Sequence, residues 1–184
     1  HPEWRSQMEL VTKCGIIHVC DQKPAHYTKA YDFTKAHILQ SAEDSLRNLQ
    51  TDYLDVMLLH RPDLLMDPDE VAEAFELLYS SGKVRSFGVS NFTPSQIKLL
   101  QSTVPVGVHQ LEISVKDVSA FDDGRLDQCT LDGIVPMAWS PLGGGNLPEG
   151  VASVLGSLAS EFGVTPQAIA LAWLLQHPAG ILPV

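Results

Sequence analysis

The chain has no run of 18 apolar residues, no strand pattern followed by Gly-x-Gly-x-x-Gly and no Gly-x-x-x-x-Gly-Lys-Ser/Thr loop. The first absence excludes a single hydrophobic membrane-spanning helix, and the others exclude a Rossmann fingerprint and a P-loop. Cations are scarce: 12 Lys and Arg stand against 22 Asp and Glu, a formal net charge of -10. That balance argues against nucleic acid as a partner, because a phosphate backbone needs a basic face. Cysteines are few. Cys14, Cys20 and Cys129 form neither a Cys-x-x-Cys pair nor an even framework, which fits reduced thiols, and His18 among them makes no zinc spacing. With no signal-peptide core either, the expectation is a soluble cytoplasmic protein with no membrane partner and no metal.

What is present is one core's worth of apolar sequence. Of 184 residues, 45% are hydrophobic, enough for a single domain over 1–184. The stretch Leu54 to Asp63 (LDVMLLHRPD) stands out, because an apolar run ends abruptly on His60, Arg61 and Pro62. A buried strand that delivers a polar side chain at its last residue is how barrels and open α/β sheets build sites. A lone strand-end histidine is nonetheless more often a structural hydrogen-bonder. Arg61 reads equally well as facing a substrate or as pairing with Asp63.

Strand patterns recur at Met8–Cys14, Val84–Ser90, Val108–Ile113, Ile134–Ser140 and Gly180–Val184. Helical periodicity separates them. Ile38, Ala42, Leu46 and Leu49 form one stripe, and Val71, Ala74, Phe75 and Leu78 form another. Asp67, Pro68 and Glu70 have the grammar of a capping box, as do Thr93, Pro94 and Gln96, and Gly82 is placed to end a helix. Arg125–Asp132, Val151–Phe162 and Pro166–Gln176 complete the helices, whereas Ile16–Phe33 reads as a long loop. Six alternations with strands apolar on both faces call for a parallel sheet under helices. The fold class is α/β, a TIM-type (β/α)8 barrel with six of eight strand-helix units in the sequence.

Polar and aromatic residues collect at the carboxyl ends of these strands: Lys13, His60, Ser90 with Asn91, Gln110 and Trp139. In a barrel those ends share one face, where sites are built. Gly143 to Gly145 follow the Trp139 strand, though a glycine cluster alone more often permits a turn.

The stretches LVTKCG, LLHRPD, GKVRSFGVSNFTPSQ, HQLEIS and MAWSPLGGG, in that order, resemble the aldo-keto reductases, in the bacterial variety similar to the YdhF proteins. The resemblance runs from about Met8 to Val184. It implies a barrel that binds a nicotinamide dinucleotide, NADPH first and NADH second, and reduces a small-molecule aldehyde or ketone, as a monomer or weak oligomer when full length. It makes Lys13 the cation that lowers the pKa of a proton-donating tyrosine, by the field of an opposite charge within ~4 to 6 Å. It makes His60 the residue that orients the substrate carbonyl. Ser90, Asn91 and Gln110 would hold the nicotinamide carboxamide, Trp139 would stack on its ring, and Ser140, Leu142 and Gly144 would lie along the pyrophosphate.

There are departures from the pattern. His109 stands before Gln110 where asparagine is common, which alters the carboxamide contact. The family's aspartate and tyrosine precede the Lys13 strand, and none of Tyr27, Tyr31, Tyr53 and Tyr79 is placed to replace that tyrosine. Both ends of the sequence look cut, so the expectation is a fragment, inactive alone. The alternative reading is a non-catalytic barrel that senses a cofactor or binds a partner.

Overall fold

The computed structural model describes residues 2–19 and 27–184. The chain divides into two compact units, His1–Val108 and His109–Val184.

The first unit opens with a 3-10 turn at Pro2–Gln7, followed by β1 (Val11–Cys14), β2 (Ile16–Ile17), β3 (Ala30–Tyr31), α1 (Lys35–Leu49), β4 (Leu54–Leu59), α2 (Pro68–Ser80), β5 (Val84–Ser90) and α3 (Pro94–Gln101). Strands β1, β4 and β5 lie side by side and parallel, with Cys14 opposite Leu59 and Leu59 opposite Val89. Leu54, Met57, Leu58 and Leu59 are fully buried, which is what the near-continuous apolar run required. Gly88 sits where a Cβ would lie 2.2 Å from the Val108 carbonyl oxygen, so no larger residue fits that close approach.

The helix starts follow local chemistry. Thr93 and Gln96 form the reciprocal capping box of α3 that the sequence predicts. At α2 the expectation fails in part: Asp67 caps through the Asp69 amide at 3.0 Å, but Glu70 does not reach back. Its Oε1 instead accepts from the amide of Lys35 at 3.0 Å. Helix α1 has no acidic residue in its own first turn, so a neighbour's carboxylate satisfies an otherwise orphaned donor. Gly82 follows α2 in the left-handed region, as expected. Ile38, Ala42 and Leu46 form the buried face of α1, while Leu49 lies exposed in its last turn. The stretch read as a structureless loop carries a two-stranded antiparallel hairpin, β2 with β3. Cys20 lies outside the described residues.

Strand β6 (Val108–Glu112) begins on the last residue of the first unit. The second unit continues with α4 (Ser119–Asp122), α5 (Arg125–Asp132), β7 (Val135–Trp139), a 3-10 turn at Gly143–Gly145, α6 (Glu149–Phe162), α7 (Pro166–Leu175) and β8 (Leu182–Pro183). Its strands are ordered β6, β7, β8, with β7 and β8 parallel. The core gathers Leu111, Ile113, Ala138, Leu126, Leu174 and Ile181 between strands and helices. Among the described residues no single helix is long and apolar enough to cross a membrane, and α6 and α7 meet at a bend of 95°.

Candidate active site

In the first unit, three adjacent parallel strands end together. The amide of His60 donates to the Cys14 carbonyl at 2.9 Å, carrying the β1–β4 ladder one residue past β4. Ser90 is the last residue of β5, one place beyond the Val89 that pairs with Leu59. The pleat then sorts the side chains. Cys14 points into the core, where burial pushes its thiol up to about 12 and leaves it unreactive. Lys13 points to the other face and is exposed, yet desolvation holds its ammonium below the ordinary lysine range.

His60 is half-buried, and its pKa lies below the usual histidine value. Desolvation is the main cause, followed by the charges of Lys13, Arg61, His18 and Lys29. It is therefore a neutral imidazole at neutral pH, with one nitrogen able to donate and the other to accept. Ser90 is buried, and its hydroxyl oxygen accepts from Asn91 Nδ2 at 2.8 Å, which leaves the hydroxyl hydrogen available. Asn91 has φ +60°, a left-handed conformation that asparagine tolerates better than most residues. That turn buries Phe92 behind it. So Lys13, His60, Ser90 and Asn91 are assembled on neighbouring strand ends, as the sequence predicts.

In the second unit, Gln110 is buried in the middle of β6 rather than at its carboxyl end, because the strand runs two residues further, to Glu112. Trp139 is half-buried at the end of β7. Ser140 then takes φ +50°, a strained conformation for a serine and the kind that persists where the surroundings impose it. Its carbonyl accepts from Gly143 N at 2.8 Å, and Leu142 O accepts from Gly145 N at 3.2 Å. The amides of Gly143 and Gly145 are thus engaged inside the loop, so the donor set along it is smaller than the glycine run implies. Gly144 is exposed at φ +67°.

His109 takes the face of β6 opposite Gln110. It is fully buried with Nδ1 3.9 Å from Cys129 Sγ on α5. Burial, with some help from Arg125 and against Asp123, pushes its pKa down to about 3. The ring therefore belongs to the packing between β6 and α5.

Tyr27, Tyr31 and Tyr79 are exposed, and Tyr53 is clasped between the guanidinium groups of Arg5 and Arg85, each 3.7 Å from the ring centroid. Among the described residues no three His, Cys, Asp or Glu side chains converge as metal ligands. Sequence reasoning did not reach His18 and Lys29 as neighbours of His60, because their placement depends on a hairpin that hydrophobic periodicity cannot register.

The pattern of the aldo/keto reductase family matches residues 1–184. The chain is 46% identical over 193 residues to the uncharacterized oxidoreductase YcsN of Bacillus subtilis, covering 100% of this chain and 64% of that protein. It is 45% identical to the oxidoreductase YdhF of Escherichia coli, covering 100% of this chain and 63% of the relative. A crystal structure of an aldo/keto reductase from Klebsiella pneumoniae in complex with NADP and acetate superposes with a TM-score of 0.82 at 30% identity, covering 100% of this chain and 61% of that one. The chain therefore spans less than two thirds of the length of these relatives. The likeness to solved structures fits the expected fold class, part of an α/β barrel of the (β/α)8 kind.

Proposed function

This chain belongs to the aldo-keto reductase family, and on that premise we propose that the full-length protein reduces aldehydes or ketones to alcohols with NADPH, or alternatively NADH. The observation that carries the reading is the neutral, half-buried His60 beside Lys13 at the ends of adjacent strands, with Ser90 and Asn91 on the next strand.

The donor set suits an amide ligand. Ser90 has a hydroxyl hydrogen to give, and Asn91 beside it carries a side-chain amide. A carboxamide both donates and accepts, and these groups can do the same. In this reading Ser90 and Asn91 hold the carboxamide. The nicotinamide, when bound, supplies the hydride.

His60 donates a hydrogen bond to the carbonyl oxygen, fixing the approach of the substrate and stabilising negative charge as it grows on that oxygen. A neutral ring is suited to this, since it keeps a donor without adding another charge beside Lys13. Lys13 contributes its positive charge to the same end of the strands, where it favours the ionised form of a neighbouring acid such as a phenol. The partner is a small carbonyl compound, and the protein works as a monomer or weak oligomer.

The test is NADPH oxidation by the purified full-length protein over a broad panel of aldehydes and ketones. Turnover with at least one class supports the reading, and its absence over the whole panel overturns it.

A further inference from the structure

In this acidic chain six of the cations have a carboxylate partner among the described residues. Arg5, Lys35, Arg47, Lys83, Arg85 and Arg125 each pair with an aspartate or glutamate. Lys13, Lys29, Arg61, Lys98 and Lys116 make no ion pair among the described residues, and of these Lys13, Lys29 and Arg61 act on His60 as positive charges.

The backbone explains why they meet. Gly15, at φ +92°, lets the chain fold back directly from the end of β1, and a Cβ there would lie 2.0 Å from the Phe33 ring. Asp32 N donates to Gly15 O at 3.1 Å, and Ile16 pairs with Tyr31 and Ile17 with Ala30. His18 directly follows β2 and Lys29 directly precedes β3, so both flank the last pair of the hairpin. The hairpin thus starts beside Lys13 and carries two more basic side chains, while Arg61 directly follows His60 on the neighbouring strand end. Lys29 Nζ lies 5.8 Å from the centre of the Tyr31 ring.

Asp32 and Asp63, which flank these segments in the chain, make contacts of their own. Asp32 Oδ1 accepts from the amide and hydroxyl of Thr34 at 2.9 and 2.7 Å, and its Oδ2 faces His37 at 3.8 Å. Asp63 Oδ1 accepts from Leu65 N at 2.9 Å rather than from Arg61. Among the described residues the charges that lower the pKa of His60 are all basic, in a chain whose net charge is -10. Unpaired like charges grouped at a strand end repel one another and attract an anion.

We propose that this strand-end cluster is an anion-recognition site, and that the preferred carbonyl substrates carry a carboxylate or phosphate held by Lys29, Arg61 and His18 while His60 holds the carbonyl oxygen. The inference rests on the carbonyl-reductase reading and narrows it to a substrate class. The same anion chemistry could serve the phosphates of the dinucleotide, so the test separates the two sources.

The experiment compares kcat/KM of the full-length protein for 4-carboxybenzaldehyde and for its neutral methyl ester, at low and high salt. The expected result is a preference of about tenfold for the carboxylate, equivalent to about 1.4 kcal/mol, weakened by salt. Arg61 and Lys29 are exposed, so their neutral variants should fold. In Lys29→Gln/Arg61→Gln the preference should disappear, and Arg61→Glu should reverse it. A ratio near one in the unmodified protein, or a ratio that the variants do not move, would overturn the site. A rise in KM for NADPH with the aldehyde ratio unchanged would assign the cations to the cofactor and equally overturn it. If neither aldehyde is reduced, the reductase reading fails for these compounds, and calorimetric titration with 4-(hydroxymethyl)benzoate and benzyl alcohol decides the anion site by itself. Tighter binding of the carboxylate that is lost in Lys29→Gln/Arg61→Gln supports it, and equal binding contradicts it.

Discussion

The two ends of the first unit's strands use charge in opposite ways. At the amino end, Asp55 lies between Arg5 at 2.8 Å and Arg85 at 3.1 Å and accepts from Leu10 N at 2.9 Å, while both guanidinium groups flank Tyr53. Arg5 donates further to Thr51 and to the carbonyls of Met8 and Tyr53. Burial alone would raise the pKa of Asp55, but the Leu10 amide and the two arginines together hold it below the ordinary value. At the carboxyl end Lys13, Lys29, Arg61, His18 and His60 gather without a carboxylate partner among the described residues. One end resembles a clasp, in which every charge is answered. The other has the surplus of unanswered charge that a ligand can answer, and such sites commonly trade stability for activity.

That contrast can be broken by mutation. The largest effect expected is on catalysis: Lys13→Met in the full-length protein should lower kcat/KM for aldehyde reduction by about 10²- to 10⁴-fold, with little change in melting temperature. The next is on stability. Asp55→Asn leaves two arginines without their carboxylate and should cost about 3 kcal/mol, measured by denaturant unfolding, with kcat/KM of the folded protein retained. The reverse pattern in either variant would erase the distinction between the ends.

The response to pH sharpens the same contrast. The folded pKa of His60 is lowered, so the unfolded chain takes up the proton first, and stability falls as pH drops below about 6.5. His109, buried in the second unit and pushed down to about 3, adds a slope of the same sign. The folded pKa of Asp55 is also lowered, so its stabilisation is present above about 3.9 and is lost as pH falls through the folded value. Chemical unfolding across this range should show His60→Gln and His109→Asn each flattening the neutral-to-acid slope, and Asp55→Asn flattening only the most acidic part. The smallest effect expected is from removing surplus positive charge: Lys29→Gln should leave stability within about 0.5 kcal/mol of the parent, on the stabilising side.

Much of this was legible in the sequence because its signals are local. The apolar run into His60, the Thr93–Gln96 capping box and the strand-end positions of Lys13 and Ser90 all follow from periodicity and cap chemistry over a few residues, whereas Gln110 lies mid-strand in β6. What stayed hidden depends on contacts across long stretches of chain. Glu70 caps a helix 35 residues earlier, Arg5 binds Thr51 and Asp55, and His109 turns to Cys129. Leu49 fits the apolar stripe of α1 yet is exposed, since a stripe says which face is apolar but not where the covering layer ends. The hairpin β2–β3 is two residues per strand, too short for an alternation signal, and it alone places His18 and Lys29.

The central claim is that the carboxyl ends of β1, β4 and β5 do the chemistry while the amino ends hold the fold. The most direct measurement pairs kcat/KM for NADPH-dependent aldehyde reduction with the melting temperature for His60→Gln in the full-length protein. The account predicts at least about a 10²-fold loss of kcat/KM with the melting temperature essentially unchanged. Full activity in that variant, or activity and melting temperature falling together, would contradict it.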